Sequence, residues 1–210
     1  MSSKNALSPP FASIEEAILL RPNERATQQI RTAWDTFVAS VPLPALWVTA
    51  HVDLSRTDYG ALTELKRQLA SCSSVDAEAN QYRIFLQKFL IKLNWKMLHS
   101  KTHEKCFSFR GSLECNAGDS SGNALHYHFY LWDPNGSFAR DPSFLNTTRQ
   151  TLLNLWCKHV NARDTERYKP IDIQIVPDRV NAKHIAQYTN KAVFAPNSFK
   201  LFDDWTTSRR

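Results

Sequence analysis

The sequence predicts an α+β fold, in which a central antiparallel sheet has helices packed on one face. The first observation is the order of the segments, which reads as a helical lead followed by β, α, α, β, β, α, β and α. The second is that three of the predicted strands alternate between apolar and polar residues. The third is composition, because 42% apolar and 22% charged residues in 210 are typical of a globular protein of ordinary size. We expect residues 1–40 to form an N-terminal helical extension and residues 41–210 to form the main domain.

Each element is predicted from periodicity and from the residues that interrupt it. The apolar stripe of residues 24–40 indicates a helix, and the VPLP sequence at 41–44 ends it. Asp141-Pro142 is typical of a helix start, with a capping carboxylate before a first-turn proline. We expect helices at 13–20, 24–40, 59–70, 77–98, 141–162 and 181–193, strands at 45–54, 104–115, 126–132 and 171–177, and a short polar tail at the end of the chain.

Charge and cysteine content limit the class of protein. A formal net charge of +6 permits a polyanionic partner without requiring one. The four cysteines form no CxxC pair, and no apolar run approaches the length of a membrane span. We therefore expect a reduced, cytoplasmic protein that has no membrane partner.

The strand sequence HYHFYLW at 126–132 places two histidines on one face. Period-two alternation puts His126, His128, Tyr130 and Trp132 on the side opposite an apolar face. The other two alternating strands follow the same rule, with the polar positions Trp47, Thr49, His51 and Asp53 in the first and Cys106, Ser108, Arg110, Ser112 and Glu114 in the second. We expect the apolar faces to pack under the helices and the polar faces to form one open surface.

Glu114 and His126 flank a turn-rich connector, so a hairpin would bring them opposite each other. Two imidazoles and one carboxylate suit Mg²⁺ or Mn²⁺ at a phosphate, or Zn²⁺ with an open position. The alternative is that His126 and His128 are strand residues bonded to their neighbours, and the sequence leaves both interpretations open.

The last predicted helix carries a tyrosine beside a cation. His184, Tyr188 and Lys191 are spaced by four and three residues, which places them on one helical face. A phenol needs help to act as a nucleophile at neutral pH, and a metal-polarised electrophile with a nearby ammonium group would supply it. The alternative is that Tyr188 packs its ring while its hydroxyl and Lys191 reach water.

Three motifs in this order resemble those of the HUH endonucleases, and more narrowly of the rolling-circle replication initiators of plasmids and filamentous phages. LWVTAHVDL resembles the first motif, HYHFYLW the His-hydrophobe-His motif and YTNK the Tyr-x-x-Lys motif. The resemblance covers residues 45–193 and implies an HUH/RRM-like fold. It also implies that His126 and His128 bind Mg²⁺ or Mn²⁺ and that Tyr188, aided by Lys191, cuts single-stranded DNA. Glu114 as a third ligand is an inference from strand geometry.

The resemblance further implies a 5′-phosphotyrosine link and a free 3′-hydroxyl at a replication origin, and it leaves open whether the cut lies in a hairpin. No GxxxxGK[ST] motor motif occurs, so strand separation and synthesis would need a host helicase and polymerase. We expect DNA contacts from the polar sheet face and the last helix, with aromatic rings stacking on bases. The residues assigned to DNA are Trp47, Thr49, His51, Arg110, Tyr130, Trp132 and His184.

Other functions remain open from the sequence. An HUH transposase or mobilisation relaxase would use the same kinds of residue. The tyrosine after the histidines is unlike most relaxases, and Lys191 favours an initiator over a transposase. A DNA-binding protein of this fold could nick nothing. An unrelated zinc hydrolase could use Glu114, His126 and His128 with Tyr188 as a bystander.

Overall fold

The structure is a computed structural model that describes residues 36, 39–54, 60–99, 106–115, 125–165, 169–185 and 198–202. Within these ranges, only the backbone is described for Val75, Asp76, Ala79, Ser112, Glu114, Cys115 and residues 198–202.

A sheet of five strands forms the centre of the fold, and every described pair is antiparallel. The strands in chain order are β1 (Ala45–Val52), β2 (Ser108–Cys115), β3 (Leu125–Trp132), β4 (Ile171–Val176) and β5 (Ser198–Phe202). Their spatial order is β4-β1-β3-β2-β5, which makes β3 the central strand. The predicted α+β class is confirmed, and four strands lie where we expected them. The prediction of a polar tail is wrong at 198–202, where β5 pairs with β2.

Several of the described helices begin at side-chain caps. The helices are α1 (Ala61–Leu69), α2 (Val75–Leu98), α3 (Ser137–Arg140), α4 (Pro142–His159) and α5, described over 179–185. The Asp141 carboxylate accepts hydrogen bonds from the backbone amides of Ser143 and Phe144, which confirms the predicted start of α4. The hydroxyl oxygen of Ser74 caps α2 by accepting a hydrogen bond from the backbone amide of Ala77.

The main core lies between one face of the sheet and helices α1 to α4. Phe129 and Tyr127 of β3 meet Leu86 and Phe89 of α2 and Trp156 of α4 in one buried cluster. The apolar faces of the strands therefore pack under the helices as predicted, because alternation puts one face of each strand out of water.

The opposite face of the sheet is partly covered, contrary to the prediction that the polar faces form one open surface. Ala182 of α5 is buried against Trp47 and Tyr130, and Ile185 packs on the same cluster. Val41 and Leu43 belong to this cluster as well. The rings of Trp47 and Tyr130 give the predicted polar face a large apolar area, and α5 shields this area from water.

Several predictions fall partly outside the described residues. Of the N-terminal extension, residues 36, 39 and 40 are described and are helical. The helix predicted at 181–193 is described as far as 185. The described cysteines Cys72, Cys106 and Cys157 are not joined in disulfides. No helix in the described part of the chain is long and apolar enough to cross a membrane.

Candidate functional site

Strand pairing assembles the candidate residues in two rows across the middle of the sheet. In the first row, His126 of β3 lies opposite Glu114 of β2 on one side and opposite His51 of β1 on the other. The predicted hairpin pairing of Glu114 with His126 is thereby confirmed at the level of the backbone. The side chain of Glu114 lies outside the described atoms.

The second row places His128 between Ser112 of β2 and Thr49 of β1. Because residues two apart on a strand share a face, this row lies directly beside the first. A carboxylate also borders it, since Asp172 of β4 pairs with Thr49 and accepts a hydrogen bond from Gln174.

The imidazole rings of three histidines lie close together. The ring centroids of His126 and His128 are 4.6 Å apart and nearly perpendicular, and those of His51 and His126 are 5.5 Å apart. His126 and His128 are only 4% and 5% exposed, whereas His51 is half-buried. The sequence assigned His51 to DNA contact, and the structure brings its ring beside a predicted metal ligand instead.

Two residues of β1 hold the ring of His128 in place. The indole of Trp47 stacks on it with centroids 5.5 Å apart and an angle of 7° between the planes. Its Nδ1 lies 2.9 Å from the Thr49 hydroxyl oxygen. In the tautomer where Nδ1–H donates to Thr49, Nε2 keeps its lone pair, which is how outer hydrogen bonds prepare a histidine for a metal.

Tyr130 fastens α5 to this face of the sheet. It is fully buried, and its hydroxyl donates to the Ala182 carbonyl oxygen at 3.1 Å. Burial raises the pKa of this phenol well above its usual range, so it stays protonated and acts as a donor.

Trp47 and Tyr130, which the sequence assigned to base stacking, are buried in this structure. Trp47 is 3% exposed, and its ring contacts Tyr130 at a centroid distance of 4.7 Å as well as His128. Rings with so little exposed area leave a base no room to stack here, so their role in DNA contact stays a prediction. Trp132 is half-buried in the same cluster.

The other predicted site residues are distributed as follows. Arg110 is half-buried on the histidine face and pairs in register with Tyr130, while His184 is exposed on α5. Their roles in DNA contact stay predictions. Tyr188 and Lys191 lie outside the described residues, so the proximity of the tyrosine to the histidines also stays a prediction.

The donor set fits a divalent cation in its chemistry. Among the described side chains, no three or more His, Cys, Asp and Glu are grouped to hold a metal ion. The Glu114 carboxylate is not among these side chains, and the backbone of Glu114 lies opposite His126. Two imidazoles with one carboxylate suit Mn²⁺ or Zn²⁺ better than Mg²⁺, which prefers oxygen ligands.

No family model, curated protein or solved structure matches this chain. The likeness to HUH endonucleases therefore stays a prediction from three short motifs.

Proposed function

We propose that this protein is a metal-dependent endonuclease that nicks single-stranded DNA at a replication origin and begins rolling-circle replication. One observation carries the proposal. His126 and His128 lie side by side on the central strand, Glu114 is opposite the first of them, and α5 packs on the same face just before Tyr188.

Chain connectivity supports a tyrosine on this face. Ile185 packs in the cluster that contains Trp47, and Trp47 stacks on His128. Tyr188 follows Ile185 by three residues, so their Cα atoms are separated by at most about 11 Å.

The proposed reaction is an in-line displacement at phosphorus. The Tyr188 oxygen forms a bond to the phosphorus, and the bond between that phosphorus and the 3′ oxygen breaks. The phenol proton is lost, the leaving oxygen takes up a proton to become a free 3′-hydroxyl, and the 5′ side stays joined to the protein as a phosphotyrosine. A bound Mg²⁺ or Mn²⁺ would polarise the phosphate and offset its charge.

The chain's own residues have separate tasks in this scheme. His126 and His128, with Glu114 as third ligand, would hold the metal, and Thr49 would keep the His128 ring oriented. Lys191 would position the phenol or offset the charge that develops at the phosphate. A host helicase would open the duplex, and a host polymerase would extend the 3′-hydroxyl.

A denaturing gel tests the proposal. End-labelled single-stranded DNA from the origin region of the protein's own replicon is incubated with the chain and Mn²⁺, and in parallel with EDTA. We expect a metal-dependent adduct that migrates slowly and disappears after protease treatment. Tyr188→Phe should abolish it while DNA binding remains, and a Phe variant that still nicks would exclude Tyr188 as the nucleophile.

Matched variants separate chemistry from packing. Tyr127→Phe removes a buried phenol that donates to the Tyr82 carbonyl oxygen on the helical side of the sheet, and we expect it to form the adduct normally. His128→Ala should weaken the metal response more than Glu114→Ala. A Glu114→Ala protein as active as the parent would remove Glu114 from the site.

The burial of both imidazoles favours a second candidate, a DNA-binding protein of this fold that cuts nothing. At 4% and 5% exposure, His126 and His128 offer a phosphate little access in this conformation. Clean binding of every origin fragment with no adduct in Mn²⁺ would favour this reading.

A further inference from the structure

The outward face of α2 combines exposed apolar side chains with a row of cations. Trp95 is 57% exposed and Ile91 is 47% exposed, and they lie one helical turn apart. Exposed indole rings are uncommon on the surface of a protein and often mark a binding surface. Exposed lysines flank them at regular spacing, at positions Lys88, Lys92 and Lys96.

The three lysines form a line of positive charges along the helix instead of a single cluster. Residues four apart on a helix are separated by about 6 Å along its axis. Lys92 reaches toward α4, where its Nζ lies 3.4 Å from Nδ1 of His159. Lys88 is near enough to Glu64 on α1 to help lower the pKa of that carboxyl, after the larger effect of Arg67.

A groove beside this line of lysines adds further cations. It has a volume of about 530 Å³, and Lys96 lines it together with Lys158 and Arg163 from the end of α4 and the residues after it. Asn154 and Thr151 supply polar groups along its wall. A carboxylate, that of Asp164, also lies at this edge, where burial and then its charge raise the pKa of the Cys157 thiol. We call Ile91, Lys92, Trp95, Lys96, Lys158 and Arg163 the Trp95 face.

We propose that the Trp95 face binds single-stranded nucleic acid. Successive cations can follow the phosphates of one strand, and an exposed indole provides a platform on which a base stacks irrespective of its identity. An acidic protein would match the cations too, but a linear cation track beside a flat aromatic ring fits a strand of nucleotides better. This face lies on the helical side of the sheet, opposite the histidines, so the proposal goes beyond nicking and does not require it.

Fluorescence anisotropy of a labelled thymidine oligonucleotide of about 16 nucleotides tests the proposal on the full chain, without metal. We expect Trp95→Ala to weaken binding about tenfold, as loss of one stacked base would, and Trp95→Phe to restore most of the affinity. Lys96→Gln and Lys158→Gln should each lower the slope of log affinity against log salt by about 0.7. Lys66→Gln, an exposed lysine on α1, is the matched control and should change binding much less.

Two results would overturn the proposal. One is an affinity for the oligonucleotide that Trp95→Ala and the lysine variants leave unchanged. The other is that these variants lose binding to polyglutamate but still bind the oligonucleotide. That result would assign the face to an acidic protein partner. The origin nicking assay distinguishes the two proposals, because Trp95→Ala should still form the tyrosine adduct on a short origin oligonucleotide and Tyr188→Phe should still bind at the Trp95 face.

Discussion

Protonation of His159 should limit the stability of this protein in acid. The imidazole packs among the rings of Phe85, Phe89 and Trp156, with centroids 4.4, 5.5 and 5.8 Å away, and is 6% exposed. Burial, aided by the charge of Lys92, lowers its pKa from 6.5 to about 4. Burial and the charge of Lys92 favour the neutral ring, and together they outweigh the opposing effect of the Phe85 backbone.

The sign and size of the effect follow from linkage. Because the pKa of folded His159 lies below that of the unfolded chain, the unfolded state binds more protons between these two values. The contribution is fully present above pH 6.5 and is lost as the pH falls toward 4. The free energy of unfolding should therefore decrease by about 2–3 kcal/mol between about pH 7.5 and pH 4.5 from this residue alone.

Urea denaturation of the parent and of His159→Phe, measured across that pH range, gives the assay. Titration of distant groups affects both proteins equally and cancels in the difference between their unfolding free energies. This difference should shift by about 2–3 kcal/mol in favour of the variant as the pH falls. His184→Gln, which removes an exposed histidine, should show no such shift. A parent–variant difference that stays constant from about pH 7.5 to 4.5 would refute the reasoning.

Two further predictions concern the sheet. A Cβ on Gly111 would lie 2.1 Å from the His128 carbonyl oxygen, so Gly111→Ala should force β2 from β3 and lower the unfolding free energy by about 2 kcal/mol in urea titrations. Gly136→Asn, at φ +68° in open space, is its control, and equal losses would contradict the steric argument. Tyr130→Phe removes the bond to Ala182 and should cost about 1 kcal/mol of stability and slow adduct formation, since α5 precedes Tyr188. Tyr127→Phe is the control, because it loses a comparable hydrogen bond on the other side of the sheet. It should cost similar stability and leave the rate of adduct formation unchanged. If both variants form the adduct equally slowly, the slowing comes from lost stability and not from the position of α5.

Local patterns in the sequence determined much of this fold. The period of two residues placed His126 and His128 on one face and Phe129 in the core, because the geometry of a strand fixes that alternation. The start of α4 was predictable because the Asp141 carboxylate accepts hydrogen bonds from two backbone amides in the first turn of the same helix. The turn-rich connector made the pairing of Glu114 with His126 predictable, since hairpin neighbours are close in the chain.

The tertiary structure alone decided which distant segments meet. The pairing of β1 with β3 brings His51 to His126 across 75 residues of sequence, and no local period encodes that choice of neighbour. The seating of α5 on the histidine face buries Trp47 and Tyr130, which alternation had placed on an open surface. Sequence periodicity tells which face of an element is apolar, but the competition among all apolar surfaces of the chain decides what covers it.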